Sequence, residues 1–273
     1  MWEQGALGVV EEQLAGQRPS LRAFFPDVLP PAVLETRVRA YLTSLNALGL
    51  ATTATPTIAA LADQDWGEAW REHFRPLKVG RRLCVAPPWD VPDATDRLVL
   101  IIEPGRAFGT GHHGSTATCL ELLERALDAG RFETAIDLGT GSGILAVAAL
   151  RLGVARVVAI DEDPDATAAA ATNAERNGVA PRIDVRLADA AVVDLEPAPL
   201  VLANLLTAAH LKLAKRYRHL LAPGGALVLG GILDGEAAVV RDALRAQGLA
   251  PSETRSIEGW SALGFRAPVH DRA

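Results

Sequence analysis

Asp137-Leu-Gly139-Thr-Gly141-Ser-Gly143-Ile-Leu follows an apolar run, Ala135 to Leu138, and opens a segment of helical spacing, Ser142 to Leu152. The next apolar run ends on Asp161, 22 residues after Gly139. Strand, glycine-rich turn, helix, strand, acid is the order of a nucleoside-binding half-fold. The glycines permit a tight turn and close approach of a ligand to the backbone, and the acid accepts hydrogen bonds from ribose hydroxyls. A run of glycines alone says little; with the acid in register, a nucleoside cofactor is the expected ligand. The dinucleotide fingerprint needs its third glycine at position 144, which is Ile144, so an NAD-dependent oxidoreductase is disfavoured.

Outward from this stretch, apolar β-branched runs alternate with helical segments, the pattern of a parallel sheet covered on both faces. Strands are predicted at Ala135 to Leu138, Val157 to Asp161, Ile183 to Leu187, Leu200 to Ala203 and Ala226 to Gly230. Helices are predicted at Ser142 to Leu152, Pro164 to Asn177, Ala208 to Leu221 and Gly235 to Gln247, with Gly153, Gly178 and Gly248 placed as stops. Ala250 to Ile257 and Ser261 to Arg266 form a last, antiparallel pair at the edge.

Toward the amino end, residues 1–60 read as a small α+β unit. It has short strands at Ala6 to Val10 and Leu21 to Phe25, an amphipathic helix from Pro31 to Leu48, and a further strand at Thr52 to Ile58. Trp66, Trp70 and Phe74 recur at i, i+4 and i+8 and share one helical face, so residues 61–75 are expected to be a linker helix and 76–273 the cofactor-binding domain. Leu83 to Ala86 and Leu98 to Glu103 are strands leading into a second glycine-rich loop.

That loop, Phe108-Gly-Thr-Gly-His-His-Gly-Ser-Thr116, has Gly109, Gly114 and Thr116 at the spacing of a phosphate loop, but the lysine position holds Ser115. Without that cation it is read as a wall of the cofactor site, with Ser115 or Thr116 capping the helix that runs to about Ala129. His112 and His113 are adjacent, so their side chains diverge and no metal site is expected. A third motif, Val201-Leu-Ala-Asn204-Leu-Leu206, ends an apolar strand in an uncharged amide at the carboxyl edge of the sheet, where open α/β folds bind ligands. An isolated asparagine there only satisfies a turn. After the two motifs before it, Asn204 becomes the group that orients a target amine, its side-chain oxygen accepting an N–H.

Composition removes whole classes of function. Hydrophobic residues make up 49% and charged residues 22% of 273 residues, which excludes a disordered or collagen-like chain. With 27 basic against 33 acidic residues the net charge is -6, which argues against an electrostatic grip on nucleic acid. Cys84 and Cys119 have neither metal nor redox spacing, no apolar run reaches membrane-spanning length and no signal segment opens the sequence, so a cytoplasmic location is expected.

Glu103-Pro-Gly-Arg-Ala-Phe-Gly-Thr-Gly-His-His113, then Asp137 to Ala146, Asn173-Ala-Glu-Arg-Asn-Gly178 and Ala203-Asn-Leu205 together resemble the ribosomal protein L11 methyltransferase (PrmA) family. Asp65-Trp66 with Trp70, Gly230-Gly-Ile-Leu233 and Trp260 are similar to it as well. The resemblance implies an α/β fold with a Rossmann-like class I methyltransferase sheet, mostly parallel with an antiparallel C-terminal edge, behind a small α+β substrate-recognition domain. It implies S-adenosyl-L-methionine as cofactor, bound by Phe108, Gly109, Thr110, Thr116, Asp137, Gly139, Gly141, Gly143, Asp161 and Asn204, with Asn204 and His113 at the reaction centre. It further implies a monomer that methylates lysine ε-amines and an N-terminal α-amine of ribosomal protein L11, its first domain swinging on the linker helix. Gly114-Ser-Thr116 replaces the family's usual Pro-Thr-Thr but keeps a hydroxyl at 116. The strand and helix that usually precede the segment like Gly5 to Glu12 are not in this sequence, so either a reduced first domain or a true start upstream of Met1 is expected. The competing readings are an N-methyltransferase of the same fold acting on another lysine or a small amine, and a non-catalytic S-adenosylmethionine-binding protein.

Overall fold

A computed structural model of the chain describes residues 8–12, 20–25, 30–47, 56–58, 75–93, 95–104 and 114–269. The chain divides into two compact units, Met1–Gly67 and Glu68–Ala273. In the first, β1 (Gly8–Glu12) and β2 (Ser20–Phe24) form an antiparallel pair, followed by helix α1 (Pro31–Ala47). Residues 56–58 belong to no regular element, and the linker helix expected at 61–75 falls almost wholly outside the described residues.

The second unit holds two sheets. Strands β3 (Leu77–Val79), β4 (Leu83–Ala86) and β5 (Leu98–Ile101) form the smaller one, antiparallel between the first two and parallel between the last two. Helix α2 (Gly114–Ala129) leads to the larger sheet. Its elements are β6 (Thr134–Leu138), α3 (Ile144–Leu152), β7 (Arg156–Asp161), α4 (Pro164–Arg176), β8 (Ile183–Leu187), β9 (Ala198–Asn204), α5 (Thr207–Leu220), β10 (Leu221–Leu233), α6 (Ala237–Ala246), β11 (Ala250–Ile257) and β12 (Trp260–Arg266). The strand order is β11-β12-β10-β9-β6-β7-β8. Strands β8, β7, β6, β9 and β10 run parallel, and β12 runs antiparallel to both its neighbours. This is the Rossmann-like sheet with an antiparallel C-terminal edge that the sequence pattern implies.

Period-two alternation decides which side chain enters which core. Ala135, Leu200, Leu202, Ala226 and Val228 face the layer containing α2, α3 and the smaller sheet. Ile136, Leu138, Val201, Ala203, Leu227 and Leu229 face α5 and α6, where Leu213, Tyr217, Leu220, Val240 and Leu244 meet them. Helix α3 is buried around almost its whole circumference, which only small side chains allow beside a sheet; Ala146, Ala148 and Ala149 are fully enclosed. The glycine stops behave as the sequence suggests: Gly153, Gly178 and Gly248 lie at φ +118°, +66° and +78°, the left-handed region that ends helices.

Strand β10 is longer than expected, Leu221–Leu233, and three boundaries nearer the glycine turns also differ from expectation. Helix α2 already begins at Gly114, so Ser115 and Thr116 are buried in its first turn and do not cap it. Helix α3 begins at Ile144, because Gly143 is left-handed at φ +80° and Ser142 stays in the turn. Strand β5 stops at Ile101, where the side chain of Asn177, the C-terminal cap of α4, takes over from a neighbouring strand: it accepts the Ile101 amide at 2.9 Å and donates to its carbonyl at 2.7 Å.

Candidate cofactor and methyl-transfer site

Strand β6 is the switch point of the large sheet, since the chain leaves it toward β7 on one side while β9 flanks it on the other. Crevices of open α/β sheets form at the carboxyl edge of such a point. In register across that edge lie Leu138 beside Ile160 and Ala203, then Asn204 beside Gly230. The glycine turn is hung on the neighbouring strand: the amides of Gly139 and Thr140 donate to the Ile160 carbonyl at 2.8 and 2.9 Å, and the Gly141 amide donates to Asp161 Oδ2 at 2.8 Å. Gly139 and Gly143 are needed for different reasons. A Cβ on Gly139, at φ +68°, would come within 2.3 Å of Leu205 Cδ2; one on Gly143 would meet Ala170 of α4 at 3.0 Å, so that glycine sets helix packing.

Asp161 thus has a second task that its place in the motif does not reveal. Besides bracing Gly141, its Oδ1 accepts the Asp163 amide at 3.0 Å, fixing the turn into α4. Each oxygen retains a lone pair for a ribose hydroxyl.

Asp137 is buried beneath the turn. Its Oδ2 accepts the Thr140 hydroxyl at 2.7 Å, whereas among the described residues its buried Oδ1 has no hydrogen-bond partner. Burial pushes its carboxyl up to about 7; the Thr140 hydroxyl and the Ala146 amide oppose this, and the Asp161 charge adds to it. The folded chain therefore holds this proton more tightly than the unfolded chain, whose aspartates titrate near ~3.9. That contribution to stability is complete below pH ~4 and is lost as pH rises through about 7. Asp137→Asn is expected to abolish it, so the unfolding free energy of the wild type, read from denaturant titration, should fall by about 4 kcal/mol relative to the variant between pH ~4 and ~7.5. Parallel curves for the two proteins would show that Asp137 titrates normally.

Asn204 ends β9 with its amide held from both sides. Nδ2 donates to Thr116 Oγ1 at 3.3 Å, and the buried Oδ1 lies against Gly230 and Gly231, where a Cβ on either would come within 3.0 Å of it. Among the described residues that oxygen has no hydrogen-bond partner. The expectation that Oδ1 accepts an N–H from a target amine therefore requires the amide to turn about its last torsion, and Thr116 enters the site first as a partner of Asn204. Phe108, Gly109, Thr110 and His113 lie outside the described residues.

Two features go beyond the motifs, since Asn173 and Asn177 stand there within a family-like stretch but with no role. Asn173 in the last turn of α4 and Asn177 at its C-terminal cap bridge the site to the smaller sheet: Asn173 accepts the Glu103 amide at 3.1 Å and donates to the Ser142 carbonyl at 2.9 Å. The glycine turn and the strand leading into the Phe108 to His113 loop are thus joined through one side chain. Their spacing as i and i+4 was the available signal. The other feature is a fully buried pair on α5, His210 and Tyr217.

Residues 5–268 match the family model described as Ribosomal protein L11 methyltransferase (PrmA). A ribosomal protein L11 methyltransferase of Pelotomaculum thermopropionicum is 44% identical over 207 residues, covering 76% of this chain and 67% of that protein. One of Geobacter metallireducens is 40% identical over 271 residues, covering 90% of this chain and 87% of that protein. Among solved structures, the ribosomal protein L11 methylase of Lactobacillus delbrueckii subsp. bulgaricus is similar with a TM-score of 0.65 at 26% identity, over 71% of this chain and 100% of that one.

Proposed function

Because this chain belongs to the ribosomal protein L11 methyltransferase (PrmA) family, we propose that it transfers methyl groups from S-adenosyl-L-methionine to amino groups of ribosomal protein L11. The acceptors are lysine ε-amines and the N-terminal α-amine. One observation carries the reading: the cofactor turn and the Asn204 turn touch, with Gly139 so close to Leu205 that no side chain fits between them. A group seated on the glycines therefore lies beside the amide at the end of β9.

The residues present suit that cofactor. Asp161 receives ribose hydroxyls, the backbone of Gly139 to Gly143 receives the nucleoside without a pyrophosphate to seat, and Oδ1 of Asp137, which has no partner among the described residues, is a place for an ammonium group. When bound, S-adenosylmethionine supplies a methyl group on a sulfonium, whose displacement needs no acid catalyst. What the chain must supply is alignment and a neutral amine. Deprotonating a lysine of pKa ~10.4 at pH 7.4 costs roughly 4 kcal/mol, which removal from water partly offsets. Asn204 carries no charge and so aims the amine without stabilising its ammonium form; Thr116 sets the amide, and the Phe108 to His113 loop borders the centre.

Residues 1–60 serve to recognise the substrate and 61–75 to link that unit to the catalytic domain, the enzyme working as a cytoplasmic monomer. No described helix is long and apolar enough to cross a membrane.

The test is incubation with methyl-labelled S-adenosylmethionine and ribosomal proteins from a strain lacking its own enzyme, with label located by mass spectrometry. Label on amines of ribosomal protein L11 is expected. Cofactor binding with no label there would move the assignment to another amine substrate.

A further inference from the structure

Gly230 pairs with Asn204 in the β9–β10 register and sits where β10 bulges away from β12, between Leu229 and Ile232. Its carbonyl takes two donors, the Leu205 amide at 3.2 Å and His210 Nε2 at 2.7 Å. A carbonyl only accepts, so Nε2 carries the imidazole proton. Nδ1 is then a bare acceptor and takes the Tyr217 hydroxyl at 2.8 Å. Both rings are fully buried, and burial lowers the His210 pKa to about 4 against the opposing carbonyls of Gly230 and Leu205. At neutral pH the ring is uncharged and confined to one tautomer by partners on both sides.

The bulge it grips is the surface against which Asn204 Oδ1 rests. Gly231 lies at φ +77°, and a Cβ there would stand 2.3 Å from the Leu205 carbonyl as well as 3.0 Å from Asn204 Oδ1. The fit is too close for the bulge to shift without moving the amide. His210 is shut off from solvent with both nitrogens engaged, so it does not act as a base. We propose that His210 is a positioning residue for methyl transfer: through the Gly230 carbonyl it fixes the Asn204–Leu205 turn and hence the place from which the Asn204 amide reaches the amine. This rests on the reading of Asn204 given above.

The experiment compares His210→Leu, His210→Gln, Asn204→Ala and the double variant His210→Leu/Asn204→Ala. It measures kcat on ribosomal protein L11, affinity for S-adenosylhomocysteine and the side-chain amide resonances of Asn204, which the alanine variant identifies. His210→Leu should lower kcat about 10-fold with cofactor affinity within about twofold, and His210→Gln, which keeps a donor for Gly230, should recover to within about threefold. In the double variant the leucine should add almost nothing to the alanine, because both act through one amide.

The Asn204 amide signals should be sharp in the wild type and in His210→Gln, and exchange-broadened in His210→Leu. Multiplicative losses, or unchanged kcat and amide signals in His210→Leu, would overturn the proposal. Retained turnover in Asn204→Ala would instead overturn the role of Asn204. Should the wild type not methylate ribosomal protein L11, the amide signals still decide whether His210 fixes Asn204. If His210→Leu does not fold, Tyr217→Phe replaces it, with a threefold or greater loss of kcat expected and an unchanged kcat overturning the proposal.

Discussion

Asn204→Ala should lose about 100-fold in kcat while binding S-adenosylhomocysteine within about threefold of the wild type. The amide lies on the far side of the switch point from Asp161, at the end of β9, and none of its described contacts goes to the glycine turn. Removing it leaves the cofactor seat intact. It does remove the group that sets the nitrogen lone pair in line, and misplacement of a reacting atom by an ångström is enough for a loss of this size.

Asn204→Asp sharpens the test. A carboxylate at 204 would also accept from the amine, but its charge would favour the ammonium form and raise the acceptor's pKa. Its kcat should fall at neutral pH and recover as pH rises, which the alanine variant should not do. A pH profile with the wild-type midpoint in Asn204→Asp would mean that position 204 does not face the amine. Equal losses of cofactor affinity in the variants at 204 and 161 would remove the separate role of Asn204.

What was legible in the sequence is what lies close together along the chain. The glycine turn and Asp161 are one strand and one helix apart, and the alternation of β6, β9 and β10 states which face each side chain takes. Asn204 was legible by its position at a strand end. Its orientation was not, because Oδ1 is directed by Gly230 and Gly231 on another strand and Nδ2 by Thr116, 88 residues earlier.

Asn173 and Asn177 stand in a recognisable stretch at i and i+4 spacing, but their partners are 70 and 76 residues away, so their bridging role is not legible from that stretch alone. His210 and Tyr217, two turns apart, read as an ordinary buried stripe of α5. Strand β3 is three residues long, too short for alternation to register. Ser and Thr are preferred at helix caps, which puts Ser115 or Thr116 at the cap of α2; burial against the sheet draws both into the first turn instead.

Asp161→Ala should show the opposite kinetic signature: affinity for S-adenosylhomocysteine weaker by roughly 100-fold and kcat at saturating cofactor within about threefold. Hydrogen bonds to a charged group are worth ~1.5–3 kcal/mol each, so losing two to ribose hydroxyls removes at least about 3 kcal/mol, a little over two decades in affinity at the lower end. The same carboxylate accepts the amides of Gly141 and Asp163, so its loss also loosens the turn. A lowered melting temperature in the absence of cofactor should accompany the weaker binding.

Asp161→Asn separates the two contributions. Its single side-chain oxygen can brace one of the two amides, leaving fewer acceptors for the ribose, so it should recover more of the stability than of the affinity. Calorimetric titration beside thermal melts reads both quantities from one preparation. If Asp161→Asn restored affinity and stability equally, the weakened binding would come from the turn alone, and Asp161 would hold the glycine loop without touching the ribose.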